Sequence, residues 1–198
     1  DEENALRLHY HASSDKRTIF NLTNHSYFNL DGDPSKSNSD YLLTIDADAY
    51  TPVDSTFMTN GEIVSVEGTD MDFRTPTAIG ARIDNEFEQL KNGKGYDHNW
   101  VLNTKGDITR PCATLESPVT GIVLDVYTNE PGIQIYTGNF LDGTLTGKKG
   151  FVYDHRASVC LETQKYPDTP NKPEWPSALL KPGEKYDSHC IYRFSVKK

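Results

Sequence analysis

The sequence predicts an all-β protein, an antiparallel β-sandwich carrying one short helix, and two observations lead there. Apolar and polar residues alternate with a period of two over most of the chain, which puts one set of side chains on each face of an extended strand. Gly, Pro, Asn and Asp cut that alternation into many short runs, the pattern of strands joined by turns. At 198 residues the chain is long enough for one sizeable core. No repeat or low-complexity linker divides it, so residues 1–198 are expected to form a single domain.

In chain order, Leu6, Leu8 and Tyr10 alternate with Arg7, His9 and His11 in a first strand. Residues 21–30 read as a strand with His25, Tyr27 and Asn29 on one face and Ser26, Phe28 and Leu30 on the other. Residues 41–45 and 62–66 are short β-rich runs. Ile83, Phe87 and Leu90 then stand at i, i+4 and i+7 with Gly93 as a stop, which predicts a helix at a sheet edge. Gly95 marks a bend before Asp97, His98 and Asn99. Residues 112–116 and 122–128 read as two strands around a hairpin loop, and residues 129–132 as a turn into a strand at 133–137. Residues 158–163 and 190–196 alternate again, while the Pro-rich stretch 167–176 reads as an ordered loop.

Composition narrows the partners. A formal net charge of -9 argues against nucleic acid, which is bound through clustered Lys and Arg, and Lys148-Lys149 is a short pair flanked by Gly. No stretch is long and apolar enough for a transmembrane helix, so no membrane partner is expected. Cys112, Cys160 and Cys190 lack metal or redox spacing and lie in strand-like runs, where core packing is their expected role; a reducing or signal-neutral setting follows, with the cytoplasm the expected compartment and the periplasm the alternative. A small polar molecule is the natural ligand class.

Four clusters carry candidate chemistry. In the first, His25 has Tyr27 and Asn29 on its own face, a polar and aromatic wall suited to a sugar; a satisfied core histidine is the plainer alternative. In residues 95–100, Asp97 could accept from a pair of sugar hydroxyls, or it could bond its own turn. Gln134, on the face of Tyr136, can both donate and accept, or simply face solvent. Glu162 shares a face with Cys160 and Gln164, a partly apolar setting that would tune a base; strand-end glutamates are otherwise usually solvated. Phosphate loops, nucleophile elbows and His-Glu-x-x-His pairs are absent. His9 and His11 have no third ligand nearby in sequence, so they are expected to be exposed, with no metal.

Taken together, Asn21-Leu22-Thr23-Asn24-His25-Ser26-Tyr27-Phe28-Asn29-Leu30, Gly95-Tyr96-Asp97-His98-Asn99, residues 132–143 and Leu161-Glu162-Thr163-Gln164 resemble, in order, the signatures of the galactose mutarotase (aldose 1-epimerase) family. The resemblance extends to Lys181-Pro182-Gly183-Glu184-Lys185-Tyr186 near the end. It implies a large antiparallel β-sandwich with a sugar-binding cleft on one sheet, and interconversion of the α and β anomers of hexoses such as galactose and glucose. Glu162 matches the general base at the anomeric hydroxyl, His25 the general acid at the ring oxygen, and Asp97 and Gln134 the residues that hold sugar hydroxyls. The two catalytic groups are expected to face one pyranose from opposite sides, and no metal or organic cofactor is required. The family also carries an N-terminal portion that supplies an Arg and a further His, for which this chain has no counterpart; roughly the last three-fifths is represented. That portion, or self-association through open strand edges, is therefore an expected partner. A non-catalytic carbohydrate-binding sandwich is the alternative, disfavoured because both an acid and a base are present. An epimerase of hexose 6-phosphates would want a cationic pocket, and Arg74, Arg82 and Arg110 lie outside the four signatures.

Overall fold

A computed structural model of the chain describes residues 2–197. In chain order the strands are β1 (Ala5–Ser13), β2 (Thr18–Ile19), β3 (Leu42–Ile45), β4 (Ala47–Thr51), β5 (Val64–Ser65), β6 (Thr77–Ala78), β7 (Asp97–Leu102), β8 (Ala113–Glu116), β9 (Ile122–Thr128), β10 (Gly132–Tyr136), β11 (Cys160–Gln164), β12 (Leu179–Leu180) and β13 (Lys185–Val196). One sheet runs β1-β13-β9-β8-β3-β6 and the other β11-β10-β7-β4-β5, with β12 and β2 as a small separate pair. Every pairing among these strands is antiparallel.

The alternation sets the layers. Leu115, Leu124, Val126, Cys190 and Tyr192 of the first sheet meet Trp100, Ile133, Ile135 and Leu161 of the second in one buried apolar cluster. Each large side chain so enclosed contributes about 1.5–3 kcal/mol relative to exposure. Polar atoms carried inward find partners: Trp100 Nε1 donates to Met71 O at 3.0 Å. Tyr192 Oη donates to Leu161 O at 2.6 Å and ties the two sheets together. Cys112 and Cys190 pack in the core as expected, and all three thiols are free and buried.

Two local readings need correction. Residues 21–30 do not form a strand: only Phe28 pairs, with Val159, through Phe28 N–H to Val159 O (2.8 Å) and Val159 N–H to Phe28 O (2.9 Å). Asparagine side chains take over the backbone bonding that a ladder would supply. Asn21 exchanges two bonds with the Lys165 backbone (2.9 Å each), and Asn29 Oδ1 accepts from Asp31 and Asp33 N–H while its amide donates to Ala157 O. The helix, α1, spans Glu88–Gly93, shorter than the spacing implied. Ile83 is buried in the turn before it, closed by Asn85 N–H to Arg82 O at 3.0 Å. The left-handed cap falls on Lys94 (φ 55), and Gly95 N–H then reaches back to Leu90 O at 2.9 Å. Gly95 has φ 130, and a Cβ there would collide with the Asn139 side chain; both facts require glycine.

Candidate active site

Three neighbouring strands of the second sheet build the site through their register. Tyr136 of β10 lies opposite both Asp97 of β7 and Cys160 of β11, and Gln134 lies opposite Asn99 and Glu162. These residues share one face, because the intervening His98, Trp100, Ile133, Ile135 and Leu161 are buried on the core side. The bend expected at Gly95 forms, and Asp97 then opens β7 and is not part of a turn, which sends Asp97 and His98 to opposite faces.

Residues 21–30 then lay His25 over the edge of that sheet, anchored by the Phe28–Val159 bridge and by Asn21. The result is a cleft of about 510 Å³, lined by His25, Tyr27, Asp97, Gln134, Tyr136 and Glu162 together with Phe140, Gln164 and Pro167. That volume suits a small ligand. Every one of the four residues singled out from sequence lies in it. Asn29, expected beside His25, is instead a structural residue of the strap. Phe140 was not anticipated: it follows β10 in an irregular loop, and no periodicity marks where its ring goes.

His25 Nε2 stands 3.2 Å from Glu162 Oε1, the imidazole half exposed and the carboxylate 9% exposed. The two are thus side by side and not on opposite sides of a ring-sized gap, because the strap crosses next to β11. Tyr27 stacks on His25 with centroids 5.1 Å apart, and Tyr136 meets both rings edge-on at 6.2 and 6.1 Å. Burial pushes the Glu162 carboxyl up to about 7; the attraction of His25 opposes this and the negative charge of Asp97 adds to it. Burial also raises Asp97, against the stabilising bond from Gln134 Nε2 to Asp97 Oδ1 at 2.8 Å. With its amide nitrogen so engaged, Gln134 leaves Oε1 buried and without a hydrogen-bond partner. His98, fully enclosed on the other face, is held down to about 3 by burial and is neutral.

Among the described residues no Lys or Arg lines the cleft. Arg74 pairs with Asp72, Arg110 with Asp46, and Arg82 donates to the Asp72 carbonyl. Two carboxylates and no cation make a poor seat for a sugar phosphate. Among the described residues no helix is long and apolar enough to cross a membrane.

The fold and site define a class: an antiparallel β-sandwich whose cleft holds a histidine–carboxylate pair inside an aromatic and hydrogen-bonding wall. A family model described as Aldose 1-epimerase matches residues 1–193, and the chain belongs to that family. Galactose mutarotase from Homo sapiens is 46% identical over 192 residues, covering 96% of this chain and 54% of its own length. Aldose 1-epimerase from Escherichia coli K12 is 40% identical over 195 residues, covering 98% of this chain and 56% of its own. The crystal structure of an aldose epimerase homologue from C. elegans superimposes with a TM-score of 0.87 at 31% identity, over all of this chain and 57% of that one. Galactose 1-epimerase from Lactobacillus acidophilus gives 0.82 at 32%, over all of this chain and 55% of that one. The chain spans about half the length of the curated relatives it matches.

Proposed function

We propose that the protein to which this chain belongs interconverts the α and β anomers of a hexose such as galactose or glucose, with the acid and base supplied by this chain. The observation that carries the reading is the contact of His25 Nε2 with Glu162 Oε1 inside a cleft that also presents Asp97 and Gln134. The anomeric hydroxyl and the ring oxygen are bonded to the same carbon. An adjacent acid and base can therefore address both at once from one edge of the ring.

Glu162 as carboxylate takes the proton from the anomeric hydroxyl while protonated His25 gives one to the ring oxygen. The C1–ring oxygen bond breaks and leaves an open-chain aldehyde. Rotation about C1–C2 presents the other carbonyl face, and the freed hydroxyl adds to it. His25 recovers its proton, Glu162 returns the other, and the balance closes with no cofactor. A base held near 7 is matched to neutral solution, where it is ionised often enough to act yet basic enough to accept. Asp97 and Gln134 would hold sugar hydroxyls, with Tyr27 and Tyr136 against the ring.

The compartment is proposed as cytoplasmic, in keeping with three free thiols, and residues 1–198 as part of a single sandwich domain. Leu6 is half exposed on the open edge of β1, an edge for further strands of the whole protein or a second copy to cover. Polarimetry on freshly dissolved α-galactose and α-glucose tests the function, using the whole protein, this chain, and the substitutions Glu162→Gln and His25→Asn. Accelerated mutarotation lost in both variants is expected. Full rate in either variant would remove the assignment, and saturable sugar binding without acceleration would favour a binding module.

A further inference from the structure

The pairing of β1 with β13 assembles a second cluster on the outer face of the other sheet. His9 lies directly opposite His189, and Asp187, opposite His11, is two residues along the same face. The two imidazoles stack with centroids 4.2 Å apart and planes 11° from parallel. Both turn Nε2 toward one carboxylate: His9 Nε2 is 3.2 Å from Asp187 Oδ2, and His189 Nε2 is 2.9 Å from Asp187 Oδ1. All three donor atoms lie within 4.8 Å of one another.

We propose that His9, Asp187 and His189 form a binding site for a late first-row divalent ion, zinc in the first instance, that staples the edge strand β1 to β13. The donor set is the argument. Two neutral imidazole nitrogens and a carboxylate oxygen suit zinc, whereas magnesium and calcium want oxygen ligands alone. Zinc at about 2.0–2.1 Å from each ligand places tetrahedral donor atoms about 3.3 Å apart. His9 and His189 stand 3.2 and 2.9 Å from the two different oxygens of Asp187, close to that edge length, and the stacked rings turn about their side-chain torsions for both Nε2 atoms to converge on one ion. The side chains are 40–53% exposed, which leaves solvent to complete the coordination and a route for the ion.

The strand beneath the ligands is held firmly. Asn129 Oδ1 accepts from His189 N–H at 2.7 Å, Asn129 Nδ2 donates to Asp187 O at 3.3 Å, and Thr128 Oγ1 donates to His189 O at 2.8 Å. Without metal, the same three side chains form a hydrogen-bonded trio. With metal, both Nε2 lone pairs face the ion and each neutral imidazole carries its proton on Nδ1. His11 shares the face, its ring 6.3 Å from that of His9, outside the group of three.

Zinc chloride titrated into the metal-stripped chain by calorimetry, with magnesium chloride as control, tests the proposal. One zinc per chain is expected, magnesium giving no heat. His9→Ala, His189→Ala and Asp187→Asn should each weaken binding at least tenfold, since even the loss of an outer-sphere partner commonly costs about 10–100-fold. His11→Ala and Glu162→Gln should leave it unchanged; the latter separates this site from the His25, Cys160 and Glu162 donors in the cleft. Saturating zinc should raise the melting temperature of the chain and not that of the His9→Ala/His189→Ala double variant. In the unsubstituted chain, nitrogen-15 spectra should show the Nε2 signals of two histidines shift together as zinc is added. Absence of zinc uptake would overturn the proposal, as would uptake that persists in the double variant or is lost only in Glu162→Gln.

Discussion

The molecule brings a carboxylate against histidine in two places, and water separates their behaviour. In the cleft, Glu162 lies 3.2 Å from His25 with its side chain 9% exposed. On the outer face of the other sheet, Asp187 lies 3.2 Å from His9 and 2.9 Å from His189 with its side chain 53% exposed. Desolvation drives Glu162 up to about 7 despite the attraction of its imidazole. Asp187 is held below the usual carboxylate range, chiefly by its hydrogen bond to His9. An imidazole neighbour is common to both pairs, so the neighbour does not set the direction; burial does. The buried pair is suited to moving a proton at neutral pH, and the exposed pair to staying ionised as a ligand or hydrogen-bond acceptor.

The largest expected effect breaks the buried pair. In the whole protein, Glu162→Gln or His25→Asn should slow mutarotation by about 10²–10⁴-fold, the usual contribution of one general acid or base, as read by polarimetry. A loss of less than about tenfold would mean that the contact is structural.

Stability gives the next test, with an inverse sign. Glu162 titrates near 7 when folded and near its ordinary 4.5 when unfolded. Its protonation therefore favours the folded chain in acid, and that contribution is lost as the pH rises through about 7. Glu162→Gln cannot ionise, so at pH 8 it should be more stable than the parent by about 1–3 kcal/mol, the gap closing toward pH 4. Denaturant titration at the two pH values checks this. A destabilised variant at pH 8 would show that the His25 attraction outweighs desolvation.

A smaller effect should sharpen the assignment. From acid pH the mutarotation rate should climb with a break near pH 7, where Glu162 ionises. Asp97→Asn should move that break to lower pH, because the charge of Asp97 helps hold the proton on Glu162. An unmoved break would assign the titration to another group. The smallest effect belongs to the exposed pair: Asp187→Asn in the metal-free chain should leave the melting temperature unchanged, since exposed ion pairs contribute little. A clear drop would mean that β1 depends on this trio even without metal.

The strand pattern was readable wherever burial alternates. Ile122–Thr128 forms with the expected bounds, and Gln134 and Glu162 share a face because period two is the geometry of a strand. The pattern failed at residues 21–30 because asparagine side chains satisfy the backbone there, a solution that mimics strand spacing without a ladder. It also failed for α1, where Ile83 is buried from a turn at a helical interval. Of the cleft, the polar residues were legible from their motifs. Phe140 was not, since an irregular loop places it.

The sequence by itself determined the all-β class and the family, because alternation and four ordered motifs are local properties of the chain. Tertiary structure alone decided that His25 and Glu162 touch side by side, and that two residues from β13 complete a cluster begun by His9. His25 and Glu162 are 137 positions apart and His9 and His189 are 180. Distances across such separations follow from strand register and from where a strap crosses a sheet, which no nearby residue encodes.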